Sequence, residues 1–265
     1  MRCLLRLLPL VASILPVASL PVVAREPGMA GWRTLRWSGM EWRVKDSAGE
    51  LMGPGRNRFS GDPQRSVFVD PQGRLHLRIA SERRASGEVV WSCSEVVSLG
   101  SFGHGTYRWT LASPVVADPR VVFGLFTWDD TSEAEHHREI DIELISTWGE
   151  TNSLRNAQYV LQPYERKGHL HRWEMPFTGP AASASTHAFT WRPDRIEFLS
   201  RVGDSTAIRG EAAALQSWVC RAAGIPSPGR ENVRINLWLI KPLPAGTPEP
   251  EVILSRFEFL PLPAR

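Results

Sequence analysis

The sequence predicts an all-β protein, a sandwich or a barrel. Three observations carry this. Short segments rich in β-branched and aromatic residues recur along the chain. Gly, Pro, Asp or Asn bound them. Helical signals are scarce, so strands are not separated by helices.

The segments follow in order. SVFVD (66–70) ends at an Asp-Pro pair. RLHLRIA (74–80) alternates Leu75, Leu77 and Ile79 with polar residues. GTYRWTLAS (105–113) alternates Tyr107, Trp109 and Leu111 with Thr106, Arg108 and Thr110. RVVFGLFTW (120–128) and EIDIELIS (139–146) come next, then NAQYVLQ (156–162) and HRWEMP (171–176). THAFTW (186–191), RIEFLSRV (195–202), VRINLWLI (233–240) and VILSRFEFL (252–260) complete the set. The best helical signal runs over 205–223, and Gly210 and Gly224 bracket only a short piece of it. KPLPAGTPEPE (241–251) reads as a loop before the last strand. No repeat is visible, and one domain is expected within 25–265.

Residues 1–24 read as a secretory leader. Arg2 and Arg6 precede an apolar stretch over 7–24 that ends in Val22-Val23-Ala24. Pro9, Pro16 and Pro21 and the short length argue against a spanning helix. A secreted or periplasmic, monomeric protein is expected, with no membrane attachment after cleavage. The two leader arginines reduce the net charge from +3 to +1 when removed. No basic run with interleaved aromatics occurs, so nucleic acid is excluded as a partner. Cys93 and Cys220 then remain in an oxidising compartment. A disulfide between them and two unpaired thiols are both open.

Alternation separates the two faces of each strand. Ile140, Ile142 and Leu144 oppose Glu139, Asp141 and Glu143. Ile235, Leu237 and Leu239 oppose Asn236 and Trp238. Ala157, Tyr159 and Leu161 oppose Asn156, Gln158 and Gln162. The second faces are rich in acids, amides and aromatics, unlike an ordinary solvated face. A tryptophan ring there suits sugar C–H bonds, although tryptophans are mostly core residues. Eleven tryptophans against three tyrosines lean the same way.

Three carboxylates pointing one way from one strand repel each other, which raises at least one pKa. That costs stability and points to function. Glycoside hydrolysis uses one ionised and one protonated carboxyl group, about 5–5.5 Å apart in retaining enzymes. Strand Cα atoms at i and i+4 lie about 13 Å apart. Two glutamates leaning together on a concave sheet close that gap. The shorter Asp141 between them can hydrogen-bond one and set which is ionised. The alternatives are an acidic strand edge and a metal site. Calcium wants more oxygen ligands from nearby loops. His136 and His137 lack a spaced partner for zinc.

Glu-Ile-Asp-Ile-Glu resembles the active-site motif of glycoside hydrolase family 16 in its short form, without a bulge residue. CSEVVSLGSFGHGTYRWTLAS, VVFGLFTW, THAFTWRPDRIEFL and INLW are also similar to that family, over about 91–261. The resemblance implies a β-jelly-roll of two stacked antiparallel sheets with a concave substrate cleft. It implies Glu139 as nucleophile, Glu143 as general acid/base and Asp141 as helper. It implies Glu95, Gln158, Asn236 and Trp238 as sugar contacts and Trp128 as a cleft aromatic, with core packing the alternative for Trp128. No cofactor is required; many relatives carry a structural calcium.

Two departures stand out. His137-Arg138 replaces the Trp-Asp pair usual in lichenases, and Val97 stands where an arginine follows the Glu95-like residue. Arg138 either contacts an anionic sugar or forms an ion pair. The expected activity is retaining endo-hydrolysis of a β-linked polysaccharide, β-glucan first. A transglycosylase on the same residues and a non-catalytic sugar-binding sandwich are the alternatives.

Overall fold

The structure, a computed structural model, describes residues 31–112, 118–148, 150, 153–176, 184–204 and 214–263. The leader expected over 1–24 lies outside the described residues. The strands in chain order are β1 (Thr34–Trp37), β2 (Met40–Val44), β3 (Arg58–Phe59), β4 (Val67–Val69), β5 (Leu75–Arg78) and β6 (Ala80–Arg83). Then come β7 (Val89–Ser98), β8 (Gly105–Leu111), β9 (Val121–Trp128), β10 (Ile140–Leu144), β11 (Ala157–Leu161) and β12 (Leu170–Trp173). The last are β13 (Ser185–Arg192), β14 (Arg195–Val202), β15 (Ala214–Cys220), β16 (Asn232–Leu239) and β17 (Glu251–Pro261).

They form two sheets stacked as a sandwich of the jelly-roll type. One runs β1-β2-β7-β16-β9-β10-β11-β12, with β3 and β6 also paired to β7. The other runs β15-β14-β13-β8-β17-β5-β4. Pairing is antiparallel except between β3 and β7, which run parallel at Arg58–Ser92 and Phe59–Cys93. Every segment expected from the alternation is a strand. The stretch 205–223 is a correction: its described part, β15, is a strand paired to β14, and 205–213 lie outside the described residues. Pairing of β15 to a sheet edge overrides its weak helical propensity.

The core lies between the sheets. Ile140, Ile142 and Leu144 are fully buried, as are Ala157, Tyr159, Ile235 and Leu237. These are the faces the alternation assigns to the interior. Against them the second sheet sets Tyr107, Trp109, Phe189, Phe198 and Phe257, with ring centroids 4.8–5.3 Å apart at Tyr107–Phe189, Trp109–Phe257 and Tyr159–Phe198. Each such side chain contributes about 1.5–3 kcal/mol on burial. With the inner faces committed this way, the opposite faces of β7, β16, β9, β10 and β11 carry the polar row. Cys93 and Cys220 are buried free thiols, so the disulfide alternative falls. Burial pushes the Cys93 thiol up to about 12, which keeps it inert. No helix among the described residues is long and apolar enough to cross a membrane.

Candidate active site

A line of side chains crosses the first sheet, fixed by register. Glu95 of β7 stands opposite Asn236 of β16, and Asn236 opposite Gly124 of β9. Gly124 faces Glu143 of β10, Glu143 faces Gln158 of β11, and Gln158 faces Arg172 of β12. A parallel line runs Val97, Arg234, Phe126, Asp141 and Val160. Over these lines lies a cleft of about 400 Å³. Glu139, Asp141, Glu143, Glu95, Asn236, Trp128 and Trp238 all line it. Gln158 does not; it donates its amide hydrogen to Glu143 and accepts one from Arg172 Nε at 3.0 Å.

Glu139 precedes β10 and takes an extended backbone, φ −83° and ψ 123°. The residues before it are unusual. His136, His137 and Arg138 all adopt left-handed backbone, φ 49°, 58° and 52°. L-residues resist this by roughly 1–2 kcal/mol each. Such strain persists only where surroundings hold it. Here the His137 carbonyl accepts from Asp129 N at 2.7 Å and the Arg138 carbonyl from Thr127 Oγ1 at 2.8 Å. The turn delivers Glu139 to the cleft in line with Asp141 and Glu143. Arg138 is directed elsewhere: its Nη1 lies 2.6 Å from Asp129 Oδ2 and its Nε donates to Ser227 O at 2.9 Å. It therefore forms an ion pair and does not line the cleft.

Burial raises all three acids. Asp141 is pushed well above the usual carboxylate range by burial and by repulsion from Glu139 and Glu143. Its hydrogen bond with Glu139 pushes Asp141 further up and Glu139 down. Glu139 is pushed up to about 8 by burial, opposed by the Asp141 hydrogen bond and the Arg234 charge. Glu143 is raised by burial, opposed by Gln158 and Arg172. A cluster that keeps some protons and loses others is the requirement for paired acid and nucleophile chemistry.

Asn236 is 3% exposed, and its Oδ1 has no hydrogen-bond partner among the described residues. A buried acceptor left unmatched in this way suits a ligand hydroxyl. It is reached because Gly124 has no side chain: a Cβ there would come within 2.5 Å of that oxygen. Trp128 lines the cleft, but protein groups lie against its ring. His137 stacks parallel on it at 4.0 Å, and the Arg234 guanidinium lies 5.7 Å from its centre. Trp238 is the freer platform, packed near Gly55 of a loop whose Gly53 and Pro54 wall the cleft.

The sequence did not mark Lys45, Asp130 or Arg234, which also line the cleft. They form a chain of charges with Glu95, buried at Lys45, Glu95 and Arg234 and exposed at Asp130. Lys45 Nζ meets Glu95 Oε2 at 2.9 Å, Glu95 Oε1 meets Arg234 Nη1 at 3.3 Å, and Arg234 Nη2 meets Asp130. Arg234 was legible only as a polar residue on the same face as Asn236. Among the described residues no group of three or more His, Cys, Asp or Glu side chains converges as a metal site.

Solved structures share this architecture. A Bacillus licheniformis β-glucanase superposes with TM-score 0.58 at 15% identity, covering 83% of this chain and 91% of that one. The fold is that of β-glucanases. The laminarinase catalytic domain of Thermotoga maritima matches with TM-score 0.56 at 11% identity over 84% and 92% of the two chains. A Mycobacterium tuberculosis protein described as an immunostimulatory antigen and pseudo β-1,3-glucanase matches with TM-score 0.56 at 17% identity over 83% and 90%. A non-specific endo-β-1,3(4)-glucanase with the same β-glucanase fold belongs to glycoside hydrolase family 16. No protein-family model matches the chain, and no curated protein matches it.

Proposed function

We propose that this chain is a secreted, retaining endo-hydrolase of a β-linked polysaccharide, with β-glucan the first substrate class. The observation that carries the reading is the trio Glu139, Asp141 and Glu143 aligned on the cleft floor, with Asp141 hydrogen-bonded to Glu139. Glu139 attacks the anomeric carbon and forms a glycosyl-enzyme as Glu143 gives its proton to the leaving sugar oxygen. Glu143, now ionised, takes a proton from water, and the water oxygen displaces Glu139. The hydrogen bond from Asp141 opposes the upward push of burial on Glu139 and so favours the ionised nucleophile. Asn236 and Glu95 offer acceptors to sugar hydroxyls, and Trp238 offers a ring face. The names of the structural neighbours support β-glucan, and the pattern of residues 1–24 supports export.

Product analysis on laminarin, lichenan, xyloglucan, agarose and carrageenan tests the activity. Internal cleavage of a β-glucan that disappears in Glu139→Gln is expected. Near-full activity in that variant would remove the assignment. A second reading, a sugar-binding sandwich without turnover, has support from the neighbour described as a pseudo β-1,3-glucanase. Retardation in polysaccharide gels with no product after long incubation would favour it. Products longer than the substrate would instead identify transfer to a sugar acceptor.

A further inference from the structure

The side-chain amide of Gln158 is engaged by protein at both ends. Its Oε1 accepts from Arg172 Nε at 3.0 Å, and its Nε2 donates to Glu143 Oε2. An arginine side chain carries donors only. The carbonyl end of the amide must therefore face Arg172, which turns the NH2 end to Glu143. Arg172 is fixed in turn. Its Nη1 pairs with Glu150, and its guanidinium lies 5.2 Å from the centre of the Trp148 ring. Both partners come from the turn after β10, where Ile145 and Trp148 take left-handed backbone, φ 87° and 50°. A β-branched residue there is a genuine outlier, and such strain persists only where surroundings hold it. Trp148 N donates to Ser146 Oγ at 3.0 Å, and Glu150 N to Thr147 O at 3.0 Å. The Arg172–Glu150 pair is partly exposed, at 22% and 36%, so it adds little stability. What the strained turn achieves is the orientation of Arg172.

We propose that Arg172 is a positioning residue for the reaction: it locks the Gln158 amide so that Glu143 Oε2 is held by N–H, leaving Oε1 to carry the proton given to the leaving sugar oxygen. This rests on the reading of Glu143 as the general acid/base. A flipped amide would offer its carbonyl to Glu143 and draw the acid's proton away from the cleft. With the orientation locked, the O–H stays free for the sugar, and the carboxylate left after transfer already has a donor. Glu143 is faced by Gly124 of β9, Gln158 of β11, and Asp141 and Glu139 of its own segment. Asn236 stands beyond Gly124, and Arg172 beyond Gln158. Lys45 and Arg234, the other cations on the cleft, are paired with Glu95. Gln158 and Arg172 oppose the upward push of burial on Glu143.

The test follows the carbon-13 carboxyl titration of Glu143, which needs no turnover, and the basic limb of kcat/KM on a β-glucan. Wild type, Arg172→Met, Gln158→Met and the double variant are compared. In Arg172→Met both readouts move up by about one pH unit, because the charged form of Glu143 loses its donor. Its kcat falls about tenfold with KM little changed. Gln158→Met moves them in the same direction at least as far. In the double variant the Arg172 substitution adds no further shift, since it acts through the amide. An unmoved titration in folded Arg172→Met overturns the proposal. So does a full second shift in the double variant, which would show the Arg172 charge acting on Glu143 directly. Should Arg172→Met lose its native near-ultraviolet circular dichroism, Glu150→Gln decides. Loosening Arg172 moves the titration up, and a titration unmoved or lowered overturns the proposal. The underlying reading fails separately, through a Glu143→Gln variant that stays active.

Discussion

At the residue scale, the cleft is a place where function opposes stability. The folded state pushes Glu139 up to about 8 from an ordinary value near 4.5, chiefly by burial. The folded state therefore binds this proton more tightly than the unfolded chain. That contribution is fully present below about pH 4.5 and is lost as the pH rises through about 8. Above it, ionised Glu139 is a net cost beside Asp141 and Glu143. Glu139→Gln removes the cost. It should raise stability by about 1–2 kcal/mol at pH 9, and the gain should shrink towards pH 4. Urea unfolding at the two pH values checks this; a loss of stability at pH 9 would show that the charged form is well solvated. The acids were legible because period-two alternation sets Glu139, Asp141 and Glu143 on one face of a strand, against the apolar Ile140, Ile142 and Leu144. The backbone of His136-His137-Arg138 was not legible. Nothing in those side-chain types requires positive φ; the turn is imposed by the hydrogen bonds of Asp129 and Thr127.

At the element scale, strand register assembles the site. Residues 95, 236, 124, 143, 158 and 172 are scattered along the chain and meet in one line through five pairings. Gly124 is the narrow point of that line. Gly124→Ala sets a Cβ within 2.5 Å of Asn236 Oδ1 and must displace it. The expected result is a folded protein with KM raised about tenfold, at a cost of roughly 1–3 kcal/mol for the overpacked contact. Steady-state kinetics alongside a melting curve separate the two effects, and an unchanged KM would remove Asn236 from substrate binding. The strands themselves were readable from alternation in β5, β8, β10 and β16. Strand β15 was not, because its residues carry no clear period and edge pairing to β14 decides its state. Arg234 was missed because an arginine on a polar strand face has an ordinary solvent reading. Only the neighbours Glu95 and Asp130, distant in sequence, make it a buried charge.

At the scale of the whole molecule, the sandwich holds without a covalent crosslink between Cys93 and Cys220. Both thiols are buried and free. A reductant should therefore leave the melting temperature unchanged within about 1 °C, whereas a bridge closing so long a loop would be worth roughly 4–5 kcal/mol. A drop of several degrees on reduction would contradict the packing described here. The two sheets divide the work. The second supplies the aromatic half of the core, and the first supplies the other half and the cleft. The division follows from the alternating faces, so the architecture was legible early, whereas the charge chain along Lys45, Glu95, Arg234 and Asp130 emerged only from the folded register. The central claim is that Glu139 and Glu143 act in two displacements on one sugar. Proton NMR of the first product formed from a cleaved β-glucan tests it most directly. The account predicts the β-anomer, relaxing later to the equilibrium mixture; the α-anomer appearing first would contradict it.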